Sequence, residues 1–413
     1  MTAGVIGNVM EWYDFALFGY FAPVIAGNFF PAHNELTSLL QTYGVFAAGF
    51  VMRPLGAVLF GYVGDRIGRS KALFFSVIMM GTPTFLLGLL PTYDQIGLWA
   101  PVLLVAVRLV QGLSVGGEFS SSVTYIVETA PPGRRGYAGS WANFGSLGGT
   151  LLGSATAAGM ATIVSQATLE EWGWRVPFLL GLLLAGFALY MRRSLPDTQI
   201  FAEHEGMHDQ DNPLHEALTR NLRQTLLAIL FASGYGVFFY IPLVYLPTYA
   251  DTVAGIDLAS ALRINALATA LMLPLIPLAG LASDLWLRRK NLLIVAFAAM
   301  SLAAWPVFGS LAGGDVVNLL VGQIVFAILI ALAVGCAPAM FAEMFPTEDR
   351  LTGYSLAFNL GLGLVGGTAP MISTWLIEAT GTPLAPGFYL AALSLVSVGA
   401  LLLMRDRSRE PLR

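Results

Sequence analysis

The sequence predicts an all-α membrane protein of twelve transmembrane helices, arranged as two six-helix bundles related by pseudo-symmetry. Three observations support this fold class: the composition, twelve long apolar stretches, and charged motifs that recur after six of those stretches. The chain has 413 residues, of which 56% are hydrophobic and 11% charged, whereas a soluble protein carries about 25% charged residues. So little charge would not cover a water-facing surface, and we therefore expect the lipid bilayer to surround most of the chain.

Each apolar stretch is long enough to span a bilayer, which takes roughly 20 residues of α-helix. The stretches lack the alternation of a membrane β-barrel, so helices are expected. The first stretch has no basic start and no cleavage site, and we expect it to be retained as a helix. The predicted helices cover residues 4–29, 38–62, 72–90, 99–128, 137–165, 174–192, 223–250, 260–282, 291–311, 316–344, 351–378 and 385–404.

The Lys and Arg residues are concentrated in one set of connecting loops, which predicts the orientation in the membrane. The opposite set contains only Arg175 and Arg263, both near helix ends. Because cytoplasmic loops carry the excess of basic residues, both termini are expected in the cytoplasm. The polar segment 193–222 is predicted to be a cytoplasmic linker between an N-terminal bundle, residues 1–192, and a C-terminal bundle, residues 223–413. Its three histidines leave a pH sensor as an alternative role.

Two charged patterns each occur twice, which indicates an internal repeat. In the first pattern, which begins at Gly61 and Gly280, an Asp follows after four residues, with an Arg and a Lys beyond it. In the second, which begins at Glu128 and Glu343, a Pro follows after three residues and an Arg after seven. The copies are separated by 219 and 215 residues, and two motifs that agree on nearly one offset indicate duplication. Duplicated helical halves in a membrane are typical of secondary transporters.

These charged loop residues have two interpretations. In the first, they set topology, because basic residues stay in the cytoplasm and Gly permits tight turns. In the second, they form a cytoplasmic gate whose ion pairs hold the halves together until the inner side opens. The candidate gate residues are Gly61, Asp65, Arg66, Arg69, Lys71, Glu128, Arg135, Asp284, Arg288, Glu343 and Arg350.

Away from the helix ends, five residues are clear cases of charge inside the predicted membrane helices: Glu11, Asp14, Arg53, Arg108 and Glu118. Each costs about 2.5–3.5 kcal/mol on insertion scales, which makes all of them functional candidates. At about 1.5 Å per residue, Asp14 and Arg108 both lie near the midplane. We expect Asp14 or Glu11 to exchange the coupled proton and Arg108 to meet an anionic group, with a static structural ion pair as the alternative.

The same depth argument places Arg53 and Glu118 at a similar level, and we predict that they pair. Pairing would explain how both charges survive in the bilayer. A substrate carboxylate that captured Arg108 would remove the counter-charge of the neighbouring acid and favour its protonation. One charge pair would thereby link the flux of substrate to the flux of protons.

Neutral side chains on the helices are candidates for substrate contacts. Asn8 shares a broad face of the first helix with Glu11 and Asp14, because the three recur at every third residue. An interfacial anchor is the alternative for Trp141, and packing is the alternative for the tyrosines. The complete set of candidates is Asn8, Tyr13, Gln111, Trp141, Asn143, Tyr245 and Asn359.

These motifs resemble those of the major facilitator superfamily, whose signature loop between the second and third helices is similar to residues 61–71. The chain resembles the metabolite:proton symporter family in particular, through residues 7–15, 29–31, 53–56, 108–112, 116–119, 174–178 and 247–249. The resemblance implies the major facilitator fold and proton-coupled import of an organic acid, or of a zwitterionic osmolyte such as proline or betaine, across the bacterial inner membrane.

Two departures from that family are visible. The second loop motif reads Asp-Leu-Trp-Leu-Arg at 284–288, where the family often has a Gly before the Arg. The sequence after the last predicted helix also lacks the coiled-coil extension of some osmosensing members. We therefore do not expect osmosensing.

Other functions have less support in the sequence. A proton-driven exporter of a metabolite or drug is the alternative, but two acids on the first helix together with Arg108 favour a charged substrate. A nucleophile motif, a His cluster within the helices and a phosphate loop are all missing, so an enzyme is not expected. With Cys336 as the single cysteine and no Cys/His cluster, we expect neither a metal nor another cofactor.

The expected partners are a small-molecule substrate, protons and the lipid bilayer. We expect no nucleic acid, and we expect the protein to be a monomer. The sequence leaves open whether the substrate is a carboxylate or a zwitterion. It also leaves open whether sodium replaces the proton, because carboxylates serve both ions.

Overall fold

The computed structural model describes residues 2–31, 34–56, 69–116, 118–192, 222–311, 313–346 and 350–412. These residues form helices and connecting turns, and no β-strand occurs among them. The long helices are α1 (Thr2–Tyr20, then Ala22–Phe29), α2 (Glu35–Val51), α3 (Arg69–Leu89), α4 (Trp99–Ser114, then Glu118–Glu128), α5 (Arg135–Ile163), α6 (Arg175–Arg192), α7 (Leu222–Thr252), α8 (Leu258–Leu285), α9 (Arg289–Leu311), α10 (Val316–Met344), α11 (Arg350–Ala357, Phe358–Gly366 and Ala369–Thr380) and α12 (Ala385–Leu403).

The twelve helices correspond to the twelve predicted stretches, and the predicted fold class is confirmed. Six of the described helices, α7 to α12, are long and apolar enough to cross a bilayer by length and composition alone. Shorter apolar helical stretches lie within α3, α4 and α6, at Val77–Leu89, Trp99–Ser114 and Arg175–Phe187. The helices of the first half contain more Gly, Ser and charged residues, which lowers their hydropathy.

Local sequence sets several helix ends. Asn34, Asp257 and Asp315 precede α2, α8 and α10, and each side chain accepts a hydrogen bond from a backbone N–H of the first turn. Such caps satisfy donors that have no partner inside the helix. Gly381 ends α11 with a φ of 66°, a left-handed conformation that glycine adopts without strain.

The packing of the helices repeats after six. In the first half, α1 packs on α5 and α6, α3 packs on α4 and α6, and α2 packs on α4. In the second half, α7 packs on α11 and α12, α9 packs on α10 and α12, and α8 packs on α10. The two six-helix bundles therefore share one arrangement, as the repeated motifs predict. The predicted linker itself, apart from Leu222, lies outside the described residues.

The two bundles meet along α5 with α8 and α10, and along α2 with α11. Gly136 and Gly280 face each other there, and a Cβ atom on either would lie 2.6 Å from the carbonyl oxygen of the other. Small residues of this kind allow helix backbones in membranes to approach closely. We call the end of the molecule with the repeated motifs the motif face: the ends of α4, α8 and α10 and the starts of α5, α9 and α11.

The bundles also touch at the opposite face. Thr37 at the start of α2 donates a hydrogen bond of 3.2 Å to Glu378 near the end of α11. Further inside, the rings of Tyr43 on α2 and Tyr245 on α7 are 5.8 Å apart in an edge-to-face arrangement. The described parts of the two halves are thus in contact near both faces of the membrane.

Two helices of the second half contain π-helical segments, Ile241–Tyr245 in α7 and Phe358–Gly366 in α11. In α4 of the first half, the helix ends at Ser114 and restarts at Glu118. π-Helical turns are frequent at functional sites. These three irregular segments surround the centre of the molecule, where the buried charges lie.

Candidate transport site

The first buried ion pair joins α1 to α4. An Arg108 Nη1 donor lies 2.8 Å from Asp14 Oδ2, and both side chains have at most 1% exposure. Gln111, one turn further along α4, accepts a bond from Arg108 and donates one of 2.8 Å to Asp14 Oδ1. Asp14 and Arg108, which the sequence placed near the midplane, therefore meet in one network with Gln111, a predicted substrate contact.

Thr84 on α3 completes this network, and the sequence analysis did not predict it. Its hydroxyl donates to Asp14 Oδ1 at 2.9 Å and accepts from Gln111 at 3.0 Å. A polar side chain next to Pro83 in an otherwise apolar helix was the signal that could have identified it. Asp14 of α1 is thus held by side chains from two other helices, α3 and α4.

Aromatic rings cover the other side of the Arg108 guanidinium. Its central carbon lies 4.2 Å from the ring centroid of Phe18, 5.0 Å from Phe15 and 5.6 Å from Phe46. Such contacts stabilise a cation by the negative face of the ring. Its Nε and Nη2 atoms are buried and have no hydrogen-bond partner among the described residues. The three rings all belong to the first bundle.

The second buried ion pair joins α1 to the end of α2. Arg53 Nη2 donates to Glu11 Oε1 at 2.6 Å, and the side chains are 2% and 3% exposed. The rings of Phe15 and Phe50 lie over the guanidinium at 4.9 and 4.6 Å. This bond differs from the predicted pairing of Arg53 with Glu118, whose side chain lies outside the described part of the chain. Similar depth left both acids available, because depth does not report the direction in which a side chain points.

Several polar atoms near these charges are buried without a partner. Both amide atoms of Asn8, the indole nitrogen of Trp12 and the hydroxyl of Tyr240 have no hydrogen-bond partner among the described residues. Trp12 packs against Phe239 and Tyr240 of α7, with ring centroids 4.9 and 6.1 Å apart. Buried polar groups nearly always have partners.

A small cavity lies beside Arg53, at the interruption of α4. Its other lining residues are Val115, Gly116, Phe119, Ser120, Phe358 and Asn359. The amide nitrogen of Asn359, on the π-helical segment of α11, donates to the carbonyl of Gly116 at 2.9 Å. Asn359, a predicted substrate contact, therefore connects the second half to the broken helix of the first.

The remaining predicted contacts have different surroundings. Asn143 donates to the hydroxyl of Tyr235 at 3.1 Å and to the carbonyl of Val334 at 2.7 Å, which links the two halves. Tyr13 donates to the carbonyl of Pro177 within its own bundle. Tyr245 is buried between the halves.

Trp141 is a correction, because the structure does not bring it to the centre. Its side chain is 36% exposed on the outer surface of α5. The ring packs against Tyr137 and Phe144 of the same helix. A helix position one residue away from an inward-facing one points outward, and this surface position suits the alternative of an interfacial anchor.

At the motif face, the repeated acids and arginines pair across the two halves. Glu128 of the first half binds Arg350 of the second. Arg135 of the first half lies 3.3 Å from Glu343 of the second. Each Glu thus pairs with the Arg of the other repeat, and the pairs connect the two bundles.

Asp284 contributes in a second way, by binding the start of α5. Its carboxylate oxygens accept hydrogen bonds from the backbone N–H groups of Gly136 and Tyr137 at 2.9 and 2.8 Å. A carboxylate at a helix N-terminus is favoured by the helix dipole. The acid of the second loop motif therefore holds the first bundle.

Arg289 supplies the positive charge next to Asp284, whereas the sequence analysis selected Arg288. Arg289 lies 2.6 Å from Asp284 and 3.3 Å from Glu343, and it is buried. Arg288 is exposed. The correction reflects helix rotation, because adjacent residues at the start of α9 point in different directions.

Part of the predicted gate lies outside the described residues. Gly61, Asp65 and Arg66 belong to the segment 57–68, which the structure does not describe. Arg69 and Lys71 are in α3, but their side chains are also outside the described part. Their gating role therefore stays a prediction.

Comparisons with known proteins agree with this architecture. The family model "Sugar (and other) transporter" matches residues 1–225, and "Major Facilitator Superfamily" matches residues 264–413. A proline/betaine transporter of Escherichia coli K12 is 33% identical over 432 residues, covering 100% of this chain and 84% of the relative. The glycine betaine/proline/ectoine/pipecolic acid transporter OusA of Dickeya dadantii is 31% identical over 430 residues, with 100% and 84% covered.

Among solved structures, the proton:xylose symporter XylE bound to 6-bromo-6-deoxy-D-glucose matches with a TM-score of 0.77. The match covers 98% of this chain and 95% of the symporter at 18% sequence identity, so it concerns the fold alone. The matched family models and relatives are membrane transporters, a class of proteins distinct from enzymes. The chain belongs to the major facilitator superfamily and, within it, to the metabolite:proton symporter family.

Proposed function

We propose that this protein imports a zwitterionic osmolyte of the proline or betaine type together with a proton, by alternating access. The names of the similar transporters support a zwitterion over the organic acids that the sequence left open. The observation that carries the proposal is the fully buried network of Asp14, Arg108, Gln111 and Thr84. A carboxylate is retained there in spite of the cost of burying a charge in a membrane helix.

In this proposal, Asp14 takes up and releases the coupled proton. With Asp14 charged, the ion pair and its hydrogen bonds hold α1, α3 and α4 together. Protonation removes the negative charge and leaves Arg108 with the amide of Gln111 and the faces of aromatic rings. The two protonation states therefore favour different arrangements of α1 and α4, and a ligand that binds one arrangement better shifts the equilibrium between them.

The motif face is the cytoplasmic face in this proposal, because the basic loops lie there. Both termini then face the cytoplasm of a bacterial cell, and the protein lies in the inner membrane. The crossed pairs Glu128–Arg350 and Arg135–Glu343 hold the cytoplasmic side closed. These pairs break when the inner side opens to release the substrate.

The test is transport by purified protein in liposomes, with labelled proline and glycine betaine as probes and an imposed pH gradient. Wild type should accumulate one or both substrates above equilibrium. Asp14→Asn should lose this accumulation but keep exchange of labelled for unlabelled substrate, because exchange needs no net proton movement. Asp94→Asn, which changes an exposed carboxylate far from the network, is the matched control.

Two results would contradict the proposal. Accumulation by Asp14→Asn at the wild-type level would remove Asp14 as the proton site. Transport that follows an imposed sodium gradient and ignores the pH gradient would replace the proton by sodium.

A further inference from the structure

The two buried arginines differ in what surrounds them. Arg108 is enclosed by Asp14, Gln111 and three phenylalanine rings of its own bundle. Arg53 instead lines a cavity with walls from both halves: Val115, Gly116, Phe119 and Ser120 of the first, and Phe358 and Asn359 of the second. A substrate that moves between two bundles must contact both of them. Arg53 therefore has the position that a transported anion could reach.

The geometry of Arg53 restricts where a further ligand could bind. Phe15 and Phe50 cover its guanidinium at 4.9 and 4.6 Å, so hydrogen-bond partners must approach its edges. Glu11 occupies Nη2, whereas the buried Nε has no partner among the described residues. Arginine edges bind carboxylates through two parallel N–H···O bonds, among the strongest hydrogen bonds in proteins.

In this structure the cavity has room for about one water molecule, so a substrate with one carboxylate and an apolar body would enter it only when the two halves separate. Phe119 of α4 and Phe358 of α11 stack across the two halves, with centroids 4.8 Å apart and an interplanar angle of 17°. When these two rings separate, their faces can accommodate a pyrrolidine ring or a methylated ammonium group. Ser120 adds a hydroxyl to the lining. Arg53 is the positively charged residue of this lining in the described part of the chain.

We propose that Arg53 binds the carboxylate of the transported zwitterion in this cavity, while Arg108 remains the partner of the proton site. This inference rests on the proposed function and names the anion subsite within it. The carboxylate competes with Glu11 for Arg53, and the freed Glu11 faces the ammonium group of the substrate. Asn359 holds α11 to the carbonyl of Gly116 beside this cavity, so occupancy acts on both halves.

The experiment is equilibrium binding to the purified full-length protein, without any gradient, by competition against labelled glycine betaine. Choline carries the same trimethylammonium group but an alcohol in place of the carboxylate. Wild type should bind glycine betaine about tenfold or more tightly than choline, as expected for a hydrogen-bonded charged partner. The Glu11→Gln/Arg53→Gln double variant, which leaves no unpaired charge, should reduce this ratio to nearly one.

The matched control is Asp14→Asn/Arg108→Gln, which neutralises the other ion pair of the same bundle. It should keep the wild-type preference for the carboxylate. Loss of the preference in this control with retention in Glu11→Gln/Arg53→Gln would overturn the inference and assign the carboxylate to Arg108. A Glu11→Gln/Arg53→Gln variant with the full preference overturns it as well.

The same binding experiment distinguishes an error in the proposed substrate class from an error in the carboxylate subsite. If wild type binds neither glycine betaine nor proline, the zwitterion proposal is wrong and the carboxylate subsite is wrong with it. If wild type binds glycine betaine and the preference does not depend on Arg53, only the subsite is wrong. Arg263→Gln, an exposed arginine that bonds to its own helix, controls for a general effect of lost positive charge.

Discussion

The cores of the two bundles use different chemistry at equivalent positions. In the first, Arg108 of α4 forms an ion pair with Asp14. Gln323 of α10 is 215 residues further on, the separation of Glu128 from Glu343. Gln323 is buried and donates to Asn265 Oδ1 of α8 at 2.5 Å, so a neutral amide pair stands where the first half has a charged residue.

The pair of Gln323 and Asn265 supports the π-helical segment of α7. The carbonyl of Leu243 would normally bond to the N–H four residues later, but Pro247 has none. Asn265 donates to that carbonyl at 3.1 Å, and Gln323 donates to the carbonyl of Pro242 at 2.9 Å. Backbone groups released by a proline or a π turn need such partners inside a membrane.

This difference shows that the cores of the two repeats contain different kinds of polar residue. The core of the first bundle carries two buried ion pairs, whereas the buried charges of the second, Arg289, Glu343 and Arg350, lie at the motif face. The second bundle carries uncharged amides that keep an irregular helix satisfied. Asn265 also donates to the hydroxyl of Tyr20 on α1 at 2.9 Å, so the irregular helix is connected to the charged half.

Replacing Arg108 by Gln is expected to have the largest effect on stability, because Asp14 would be left as a buried charge without its counter-ion. Removing one partner of a buried ion pair destabilises a protein by about 3–5 kcal/mol. Thermal unfolding in detergent should show a large fall in midpoint, and Asp14→Asn/Arg108→Gln should restore most of it. An equally unstable double variant would mean that the charge imbalance is not the cause.

Arg289→Gln is expected to cause a smaller loss of stability, confined to the contact between the halves at the motif face. It removes the positive charge beside Asp284 and Glu343 and weakens the contact between the two halves, at about 1.5–3 kcal/mol for the lost hydrogen bond to Asp284 and more for the lost charge beside Glu343. A cysteine placed at buried Ser140 of α5, in a Cys336→Ala background, should react faster with a maleimide as the motif face opens.

Arg288→Gln is the matched control for this experiment, because its side chain is exposed. It should change the labelling rate little, as surface substitutions usually alter stability by no more than about 0.5 kcal/mol. Equal acceleration by both substitutions would show that net positive charge, and not the buried ion pairs, keeps the motif face closed.

Among the buried residues, the smallest loss of stability is expected from Gln323→Leu. This substitution tests the role of the neutral amide pair in the second bundle. The carbonyl of Pro242 would lose its donor, at a cost of about 1–3 kcal/mol, and uptake should slow. The dependence of uptake on the pH gradient should stay as in wild type, because no titrating group is removed. A loss of that dependence would show that the second bundle also takes part in proton coupling.

The sequence predicted which types of residue form the site and how deep in the membrane they lie. A rise of about 1.5 Å per residue put Asp14 and Arg108 at one level, and the structure joins them. The same argument did not identify Glu11 as the described partner of Arg53. Nor did it distinguish Arg288 from Arg289, because rotation about a helix axis is set by packing against neighbouring helices.

The sequence by itself determined the membrane class, the number of helices, the repeat and the residues whose charge must be compensated. Those follow from composition and spacing along the chain, which need no knowledge of contacts. Only the tertiary structure decided that Glu128 and Glu343 pair with the arginine of the other repeat. It also decided that Arg53 lines a cavity between the halves. The physical reason is that partners across an interface lie more than 200 residues apart in sequence, and no local pattern records which faces of two helices meet.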